Sequence, residues 1–446
     1  MITCPDYINT AVQLLEERGF EAYTVGGCVR DSLMKTKPDD WDMTTSAAPD
    51  EIIDVFKSFR VIPTGIKHGT VTVIIDETPI EITTMRIDGK YTDNRRPEEV
   101  TFTKSICEDL SRRDFTVNAM AFNKKSGITD PFGGQTDIRN SLIRCVGNPD
   151  RRFGEDALRI IRALRFASVL GFEIESETSQ SIFRNYRLLS NVAKERIRVE
   201  LVKLLCGKNV EKILLDYREI IFFLIPQLKA SDGFEQHTKF HIYDVWTHTV
   251  KVVASVENSP VLRVAALLHD IEKPSCFRLD ENGTGHFKGH PQKSSETAYK
   301  ILKDLRFSNA EIKSICDIIA LHDERPDGDR IKTAHLCSEY SADTVKSVMK
   351  FIKAELYAKN PCYIEADSKK CDLAIAQIDE IEQSNIPMKV SELDVNGNDL
   401  IEIGIKPESI GAILNDVLNA VIDEKINNSK NEILQYIKSM PDSQCC

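Results

Sequence analysis

Hydrophobic residues recur with two different spacings in the first third of the chain. Between residues 8 and 18 the apolar positions follow the period of a helix. Short runs rich in β-branched residues follow at 23–25, 70–75 and 80–84, a composition that is typical of strands. The polar residues 76–79 between the last two runs predict a hairpin turn. This part of the chain is therefore predicted to be mixed α/β.

Beyond Asp150 the pattern changes to helical spacing almost without interruption. We therefore expect an α+β fold, in which a head with a mixed sheet precedes an all-helical remainder. The longest apolar run, residues 220–225, is far shorter than the ~20 residues of a membrane span. The predicted division is a head over 1–145, a neck over 146–205, a body over 206–370 and a tail over 371–446.

Length and charge narrow the classes of function. A chain of 446 residues with 41 % apolar composition is long enough for about two to four folded domains. The net charge of -11 disfavours a general polyanion-binding surface, because such affinity requires a basic footprint. Five arginines nevertheless lie between Arg151 and Arg165, against only Glu155 and Asp156. RNA binding is thus expected in one groove, and the alternative for this stripe is a solvated helix face.

Cysteine usage bears on the cellular compartment. The twelve cysteines are scattered along the chain and form no CxxC pair. This distribution favours free thiols in a reducing compartment over a disulfide framework. The amino terminus lacks a basic segment followed by an apolar stretch, so it does not resemble a signal peptide. We therefore expect a cytoplasmic protein that does not interact with membranes.

Two aspartates two positions apart are the first candidates for chemistry. Side chains at i and i+2 of a strand point to the same face, which would place Asp40 and Asp42 ~7 Å apart. Their repulsion, about 2 kcal/mol at an effective dielectric of 20, is removed by a divalent cation. Mg²⁺ is commonly held by two carboxylates together with substrate phosphates. Gly26 and Gly27 permit close approach of a triphosphate, and Arg30 can bind its oxygens.

The basic stripe offers a way to select a nucleobase. Asp156, Arg159, Arg162 and Arg165 are spaced three apart and are predicted to share one face of a helix. A carboxylate can accept from the exocyclic amine of cytosine or adenine, while an arginine donates to the neighbouring ring atoms. Guanine and uracil present a carbonyl where that amine should be. The alternative is a surface helix stabilised by salt bridges.

These motifs together resemble the class II tRNA nucleotidyltransferase and bacterial poly(A) polymerase family, whose head carries GGxVRD followed by DxD. The resemblance implies a polymerase-β-like head, with Glu81 as a third catalytic carboxylate and residues 88–97 as a flexible loop. It implies that Arg113 contacts the nucleotide and that residues 155–166 form the base-reading helix. It also identifies a neck motif at Glu195, Arg196, Glu200 and Lys203.

The resemblance implies template-independent addition of CCA to tRNA 3′ ends, with CTP, ATP and two Mg²⁺ ions as substrates and cofactors. Members without the flexible loop are restricted to CC, so the full loop favours CCA. The alternative within the family is an A-adding enzyme or poly(A) polymerase. The tail segment 395–411 resembles the part of the family that holds tRNA.

Histidines in the second half suggest a further metal site. His248, His269-Asp270 and His322-Asp323 resemble an HD-superfamily domain, which implies a divalent transition metal at His248, His269 and Asp270. His286 and His290 are candidates for further polar groups. Where that family has its later aspartate, this chain reads Lys353-Ala354-Glu355-Leu356, a departure that counts against metal binding. The alternatives are a scaffold whose histidines bind buried carbonyls, or an HD-type phosphohydrolase with a nucleotide-sensing head.

Overall fold

The computed structural model describes residues 2–89, 100–325, 327–384 and 386–440. The chain divides into two compact units, Met1–Leu224 and Ile225–Cys446. The four-part division expected from the sequence is finer than these units and stays a prediction. Most of the predicted flexible loop, residues 90–97, lies outside the described residues.

The first unit contains a mixed sheet and a series of helices. Its strands are β1 Ala22–Val25, β2 Asp42–Thr45, β3 Arg60–Gly65, β4 Thr70–Ile75, β5 Thr78–Thr84, β6 Arg86–Asp88, β7 Val100–Phe102, β8 Ala121–Asn123, β9 Gly127–Thr129, β10 Leu142–Ile143 and β11 Glu173–Ile174. Its helices are α1 Asp6–Glu17, α2 Gly27–Leu33, α3 Pro49–Val55, α4 Ile106–Ser111, α5 Gly134–Arg139, α6 Pro149–Glu155, α7 Leu158–Leu170, α8 Ser176–Asn185, α9 Lys194–Leu205, α10 Val210–Asp216 and α11 Arg218–Leu224.

Seven strands form the main sheet in the order β3-β4-β5-β2-β1-β8-β9. Only the β2–β5 pair within it is parallel, which makes the sheet mixed, as expected. Helices α1 and α3 pack on one face, where Ile8, Leu15 and Ile52 are fully buried against Val73 and Ile82. Of the apolar positions between residues 8 and 18, Ile8 and Leu15 are buried as the helical spacing predicts, whereas Val12 and Leu14 are partly buried.

The β4–β5 turn is tighter than the sequence suggests. Only Asp76 and Glu77 form it, with φ of 48° and 60°, while Thr78 and Pro79 already pair with β4. Such a two-residue turn matches the right-handed twist of the two strands. The predicted four-residue turn was wrong because Pro79 fits the outer part of the ladder, opposite Ile74.

The second unit is almost entirely helical. A short hairpin of β12 Arg278–Leu279 and β13 Gly285–His286 is its described strand pair. Its helices are α12 Val245–Ser255, α13 Pro260–Leu268, α14 Lys273–Cys276, α15 His290–Asp304, α16 Asn309–Leu321, α17 Arg330–Tyr340, α18 Ala342–Leu356, α19 Ile364–Gln383, α20 Gly397–Glu402, α21 Ile410–Ile422 and α22 Lys430–Ser439. Across the described ranges, we find no helix with both the length and the apolar character that a membrane crossing requires.

Candidate active site

The head carboxylates meet where β2 and β5 run side by side. Met43 pairs with Ile82 in this parallel ladder, so the preceding residues, Asp42 and Glu81, are also neighbours. Asp40 lies two residues before Asp42, ahead of the strand rather than within it. Solvent reaches Asp42, yet the surrounding chain desolvates its carboxyl and raises its pKa; Glu81 and Asp40 add to the rise, and Arg113 opposes it. This cluster carries negative charge that a cation would neutralise.

The glycine turn follows β1 directly beside these carboxylates. Val25 pairs with Asp42, so Gly26 begins the turn next to the acidic pair. Gly26 has φ of 79°, and a Cβ there would lie 3.0 Å from Arg113 Nη1. The positive φ favours glycine at this position, and any side chain there would also displace the end of Arg113. Gly27 then begins α2.

Arg30 and Arg113 project toward the same cavity from different elements. Arg30 donates from Nη1 to Asn118 Oδ1 at 2.5 Å and from Nε to Asp31 Oδ1 at 2.8 Å. Arg113 lies 3.5 Å from Asp109 Oδ2. Burial alone would raise the pKa of Asp109, but Arg112 and Arg113 outweigh it and lower that pKa. The two arginines are thus held by fixed partners before any ligand arrives.

Arg162 and Arg165 enter the cavity from α7. Arg162 donates to Asp114 Oδ2 from Nε at 2.9 Å and from Nη2 at 2.6 Å. Burial alone would raise the pKa of Asp114, but Arg162 outweighs it, and the pKa falls to about 2. Arg165 Nε lies 3.1 Å from Glu200 Oε2 on α9. This charge arrangement fixes α7 against the segments that carry its acidic partners.

Asp156 does not share a helix face with the three arginines, which corrects the expected stripe. It lies between α6 and α7, where its carboxylate accepts from the Leu158 amide at 3.1 Å and from Arg196 Nη2 at 3.0 Å. The helix breaks here because the side chain replaces the backbone acceptor at the start of α7. Arg159 is 8 % exposed and donates to Glu155 Oε2 at 2.9 Å.

A cavity of about 650 Å³ joins these groups. The predicted site residues Glu81, Asp156 and Arg159 are not among the described residues that line it, whereas Asp114, Asn118, Phe166 and Lys203 are. The RRDFTVNA string contains Asp114 and Asn118, so the signal for them was present in the sequence, where only Arg113 received a role. The described residues that line the cavity are Gly26, Gly27, Cys28, Arg30, Asp31, Asp39, Asp40, Asp42, Arg113, Asp114, Asn118, Arg162, Arg165, Phe166, Val169, Leu170, Lys203 and Cys206.

Comparison with known proteins identifies the family to which this chain belongs. Residues 22–144 match the family profile described as "Poly A polymerase head domain". Residues 171–231 match an "RNA and SrmB- binding site of polymerase A", and residues 290–437 match "tRNA nucleotidyltransferase domain 2". A CCA-adding enzyme from Ligilactobacillus salivarius is 34 % identical, over 98 % of this chain and 97 % of its own length. The chain belongs to the CCA-adding enzyme family.

Other CCA-adding enzymes are similar along most of their length. The one from Limosilactobacillus fermentum is 34 % identical over 94 % of this chain and 93 % of its own. The structure of the Bacillus stearothermophilus CCA-adding enzyme with CTP superposes with a TM-score of 0.74, at 27 % identity and 98 % coverage of both chains. The predicted family, the enzyme class and the α+β fold with a polymerase-β-like head are confirmed.

The second unit of this CCA-adding family member contains a buried cluster of histidines around Asp270. His248 lies on α12, His269 ends α13, His290 begins α15 and His322 ends α16. Each Nδ1 donates to a backbone carbonyl, at 3.1, 2.9, 2.8 and 2.6 Å respectively. The four Nε2 atoms lie 3.5, 3.0, 3.3 and 3.5 Å from the Asp270 carboxylate.

Several polar atoms of this cluster have no hydrogen-bond partner among the described residues. They include Oδ1 of Asp270 and Nε2 of His248 and His269. His290 Nε2 and His322 Nε2 are 3.1 Å apart. With both Nδ1 atoms protonated, these two nitrogens present lone pairs to each other, which is unfavourable unless a cation lies nearby. The nitrogen and carboxylate donors therefore fit a divalent transition metal.

Glu355 also belongs to this cluster, which therefore contains more residues than the three predicted from the sequence. It is 2 % exposed, and its Oε1 lies 3.6 Å from His248 Nε2, so it brings a second carboxylate to the cluster. His290 also joins the cluster, whereas His286 lies on the exposed hairpin and binds Asp280 at 2.9 Å. Two lysines complete the surroundings, with Lys273 Nζ 2.7 Å from Asp270 and Lys359 Nζ 2.6 Å from Glu355.

Proposed function

We propose that this chain adds CCA to the 3′ ends of tRNA, taking CTP and ATP and releasing pyrophosphate. The observation that carries the proposal is full-length similarity to CCA-adding enzymes, joined to a cavity that places Asp40 and Asp42 opposite arginines. The A-adding and poly(A) alternatives are less favoured, because the full-length curated relatives are CCA-adding enzymes. Similarity to the Bacillus stearothermophilus CCA-adding enzyme with CTP supports CTP as a substrate.

The carboxylates of the head cavity would bind the metal ion. Asp40 and Asp42, with Glu81 beside them, would hold Mg²⁺, and the triphosphate would supply the remaining ligands, as is usual for this ion. The bound Mg²⁺ would activate the attacking ribose hydroxyl and neutralise charge on the departing pyrophosphate. Gly26 and Gly27 would let the triphosphate approach the backbone, while Arg30 and Arg113 would bind its oxygens.

Base selection would fall to the residues around α7. Arg162 and Arg165 line the cavity and can donate to a base without a change of backbone. Asp156 and Arg159 would first have to release Arg196 and Glu155. We therefore propose that nucleotide binding exchanges these internal ion pairs for contacts with cytosine or adenine. Such buried polar contacts discriminate strongly, because a wrong base leaves them unpaired.

The direct test is incorporation of labelled CTP and ATP with Mg²⁺. The acceptors are tRNAs that end before CCA, after C and after CC, with an unstructured RNA as control. We expect completion of CCA followed by arrest, and no addition by Asp40→Ala. Long adenylate on any RNA would instead assign a poly(A) polymerase. No incorporation would leave the head as a nucleotide sensor and the second unit as the enzyme.

We also propose a divalent transition metal held by His248, His269 and Asp270, with His290, His322 and Glu355 close by. Burial lowers the pKa of His248, which keeps its imidazole in the neutral form that binds metals. Protein purified without chelator should retain the metal, and His269→Ala should lose it. His286→Ala, on the exposed hairpin, is the matched control. A metal-free wild-type protein would contradict this site.

Two further expectations remain proposals. The head, neck, body and tail are proposed to end at residues 145, 205, 370 and 446. A cytoplasmic location is supported by the cysteines, since all ten that the structure describes are free thiols. Limited proteolysis with mass spectrometry would locate the domain boundaries, and fractionation of cells that express the chain would test the location.

A further inference from the structure

One aromatic ring touches three of the arginines of the head cavity. Phe166 lies on α7, is 7 % exposed and lines the cavity. The guanidinium carbons of Arg30, Arg162 and Arg165 lie over its ring at 5.3, 5.3 and 4.0 Å from the centroid. All three distances are within the range of a cation–π interaction, in which the negative ring face attracts the cation. Arg30 comes from α2, so the ring joins two helices.

The three positive charges around this ring are balanced by three carboxylates. Asp31 binds Arg30, Asp114 binds Arg162, and Glu200 lies beside Arg165. Carboxylates alone would hold each guanidinium from one side and would consume its donor groups. The ring attracts the flat face of a guanidinium and leaves its N–H groups free to reach a ligand. It therefore orients the arginines without competing for their hydrogen bonds.

The ring itself is fixed from behind. Phe115, which is fully buried, packs edge-on against Phe166 with centroids 5.7 Å apart and an interplanar angle of 76°. Phe115 in turn bridges to Cys145 through the backbone. An edge-to-face pair of this kind restricts rotation of both rings. The surface that the guanidinium groups contact is thus preorganised.

We propose that Phe166 is a positioning residue for nucleotide binding, whose ring holds Arg30, Arg162 and Arg165 in place through the charge of its π face. This inference rests on the proposed nucleotidyl transfer in the head. It differs from a packing role, because it makes nucleotide affinity depend on the electrostatics of the ring at constant shape. The effect should fall on KM for CTP and ATP, while kcat, which depends on the carboxylates, changes little.

Fluorinated phenylalanines at position 166 separate the two roles. One, two or three ring fluorines progressively weaken the negative face and scarcely change the size. We expect KM for CTP to rise with each substitution, reaching about tenfold for the trifluoro ring, with kcat within about twofold. Phe166→Leu, if it folds, should match or exceed the trifluoro effect. Phenylalanine inserted by the same suppression method should restore the original KM.

Phe153 provides the matched control, since it is a fully buried phenylalanine on α6. The same fluorine series there should leave KM unchanged. A flat series at 166, or equal effects at 153 and 166, would overturn the proposal. Calorimetric titration of CTP into each variant gives the affinity without an acceptor RNA. A graded affinity in a protein that fails to extend tRNA would uphold the role of Phe166 while contradicting the proposed CCA addition.

Discussion

The head cavity and the histidine cluster arrange candidate metal ligands in opposite ways. In the head, Asp42 is open to solvent, and its carboxylate partners are Glu81 on β5 and Asp40 just ahead of β2. In the second unit, Asp270 is 1 % exposed and lies within 3.5 Å of four imidazoles. Among the described residues, the groups of three whose ligand atoms lie within 4.8 Å of one another consist of residues of this cluster and the adjacent His241.

The two sites would therefore hold their ions in different ways. Carboxylates open to solvent would leave several coordination positions of a bound ion to substrate phosphates, so they would hold Mg²⁺ together with the nucleotide. A buried set of imidazoles and carboxylates supplies most ligands itself, so its ion would be resident. One ion would therefore take part in each turnover, and the other would persist between turnovers.

Asp42→Asn should have the largest effect. The amide removes the charge that would bind Mg²⁺ while keeping the shape, so incorporation of CTP and ATP should fall by about 10³-fold or more. Retained transition metal in the second unit should be unchanged. Asp39→Asn, at an exposed position of the same cavity, is the matched control and should retain most activity. Activity above a tenth of the original would contradict Asp42 as a catalytic carboxylate.

His290→Ala tests the histidine cluster, and its expected effects are the reverse of those of Asp42→Asn. Loss of an imidazole that faces Asp270 should lower metal retention by about tenfold or more after dialysis. Incorporation into tRNA should stay within about twofold. His335→Ala is a suitable control, because this histidine binds Asp423 outside the cluster. Loss of tRNA extension in His290→Ala alone would show that the two sites are coupled.

Asp114→Asn should destabilise the first unit by about 2 kcal/mol at pH 7, because the native pKa of about 2 lies below the ordinary 3.8. A lowered native pKa contributes stability above the unfolded value, and this contribution is lost as pH falls through the native one. The difference between wild type and variant should thus persist at pH 7 and 5 and shrink between about pH 4 and 2. Urea unfolding of both proteins at each pH measures this difference in the free energy of unfolding.

Alkylation of the cysteines should have the smallest effect on the incorporation of CTP and ATP. Burial raises the pKa of the Cys28 thiol to about 12, so it stays protonated and unreactive at pH 8 although it lines the head cavity. Iodoacetamide should label the exposed Cys107 and Cys362 and leave incorporation within about twofold. Mass spectrometry of the labelled peptides checks the sites. Modified Cys28 with lost activity would mean that the cavity opens more widely than the structure indicates.

Local chemistry made the head predictable from sequence. The strand, the glycine turn and the acidic pair lie within about twenty residues, so the combined motif, together with its resemblance to the nucleotidyltransferase family, predicted one site. The break at Asp156 was missed because an i,i+3 count assumes a continuous helix, whereas a capping side chain interrupts it. The histidine cluster was only partly foreseen, since His248 and Glu355 come together through helices far apart in sequence.

Three of the four cluster histidines bind the carbonyl of the residue three positions earlier, at Ala266, Phe287 and Ile319. Each ring is therefore aimed by its own helix end or preceding turn, and only His248 depends on a distant carbonyl, that of Ala358. The orientation of each of these three imidazoles thus depends on residues close to it in sequence. A single turn with its oriented imidazole could be grafted onto another helical scaffold, and the imidazole should keep its orientation there.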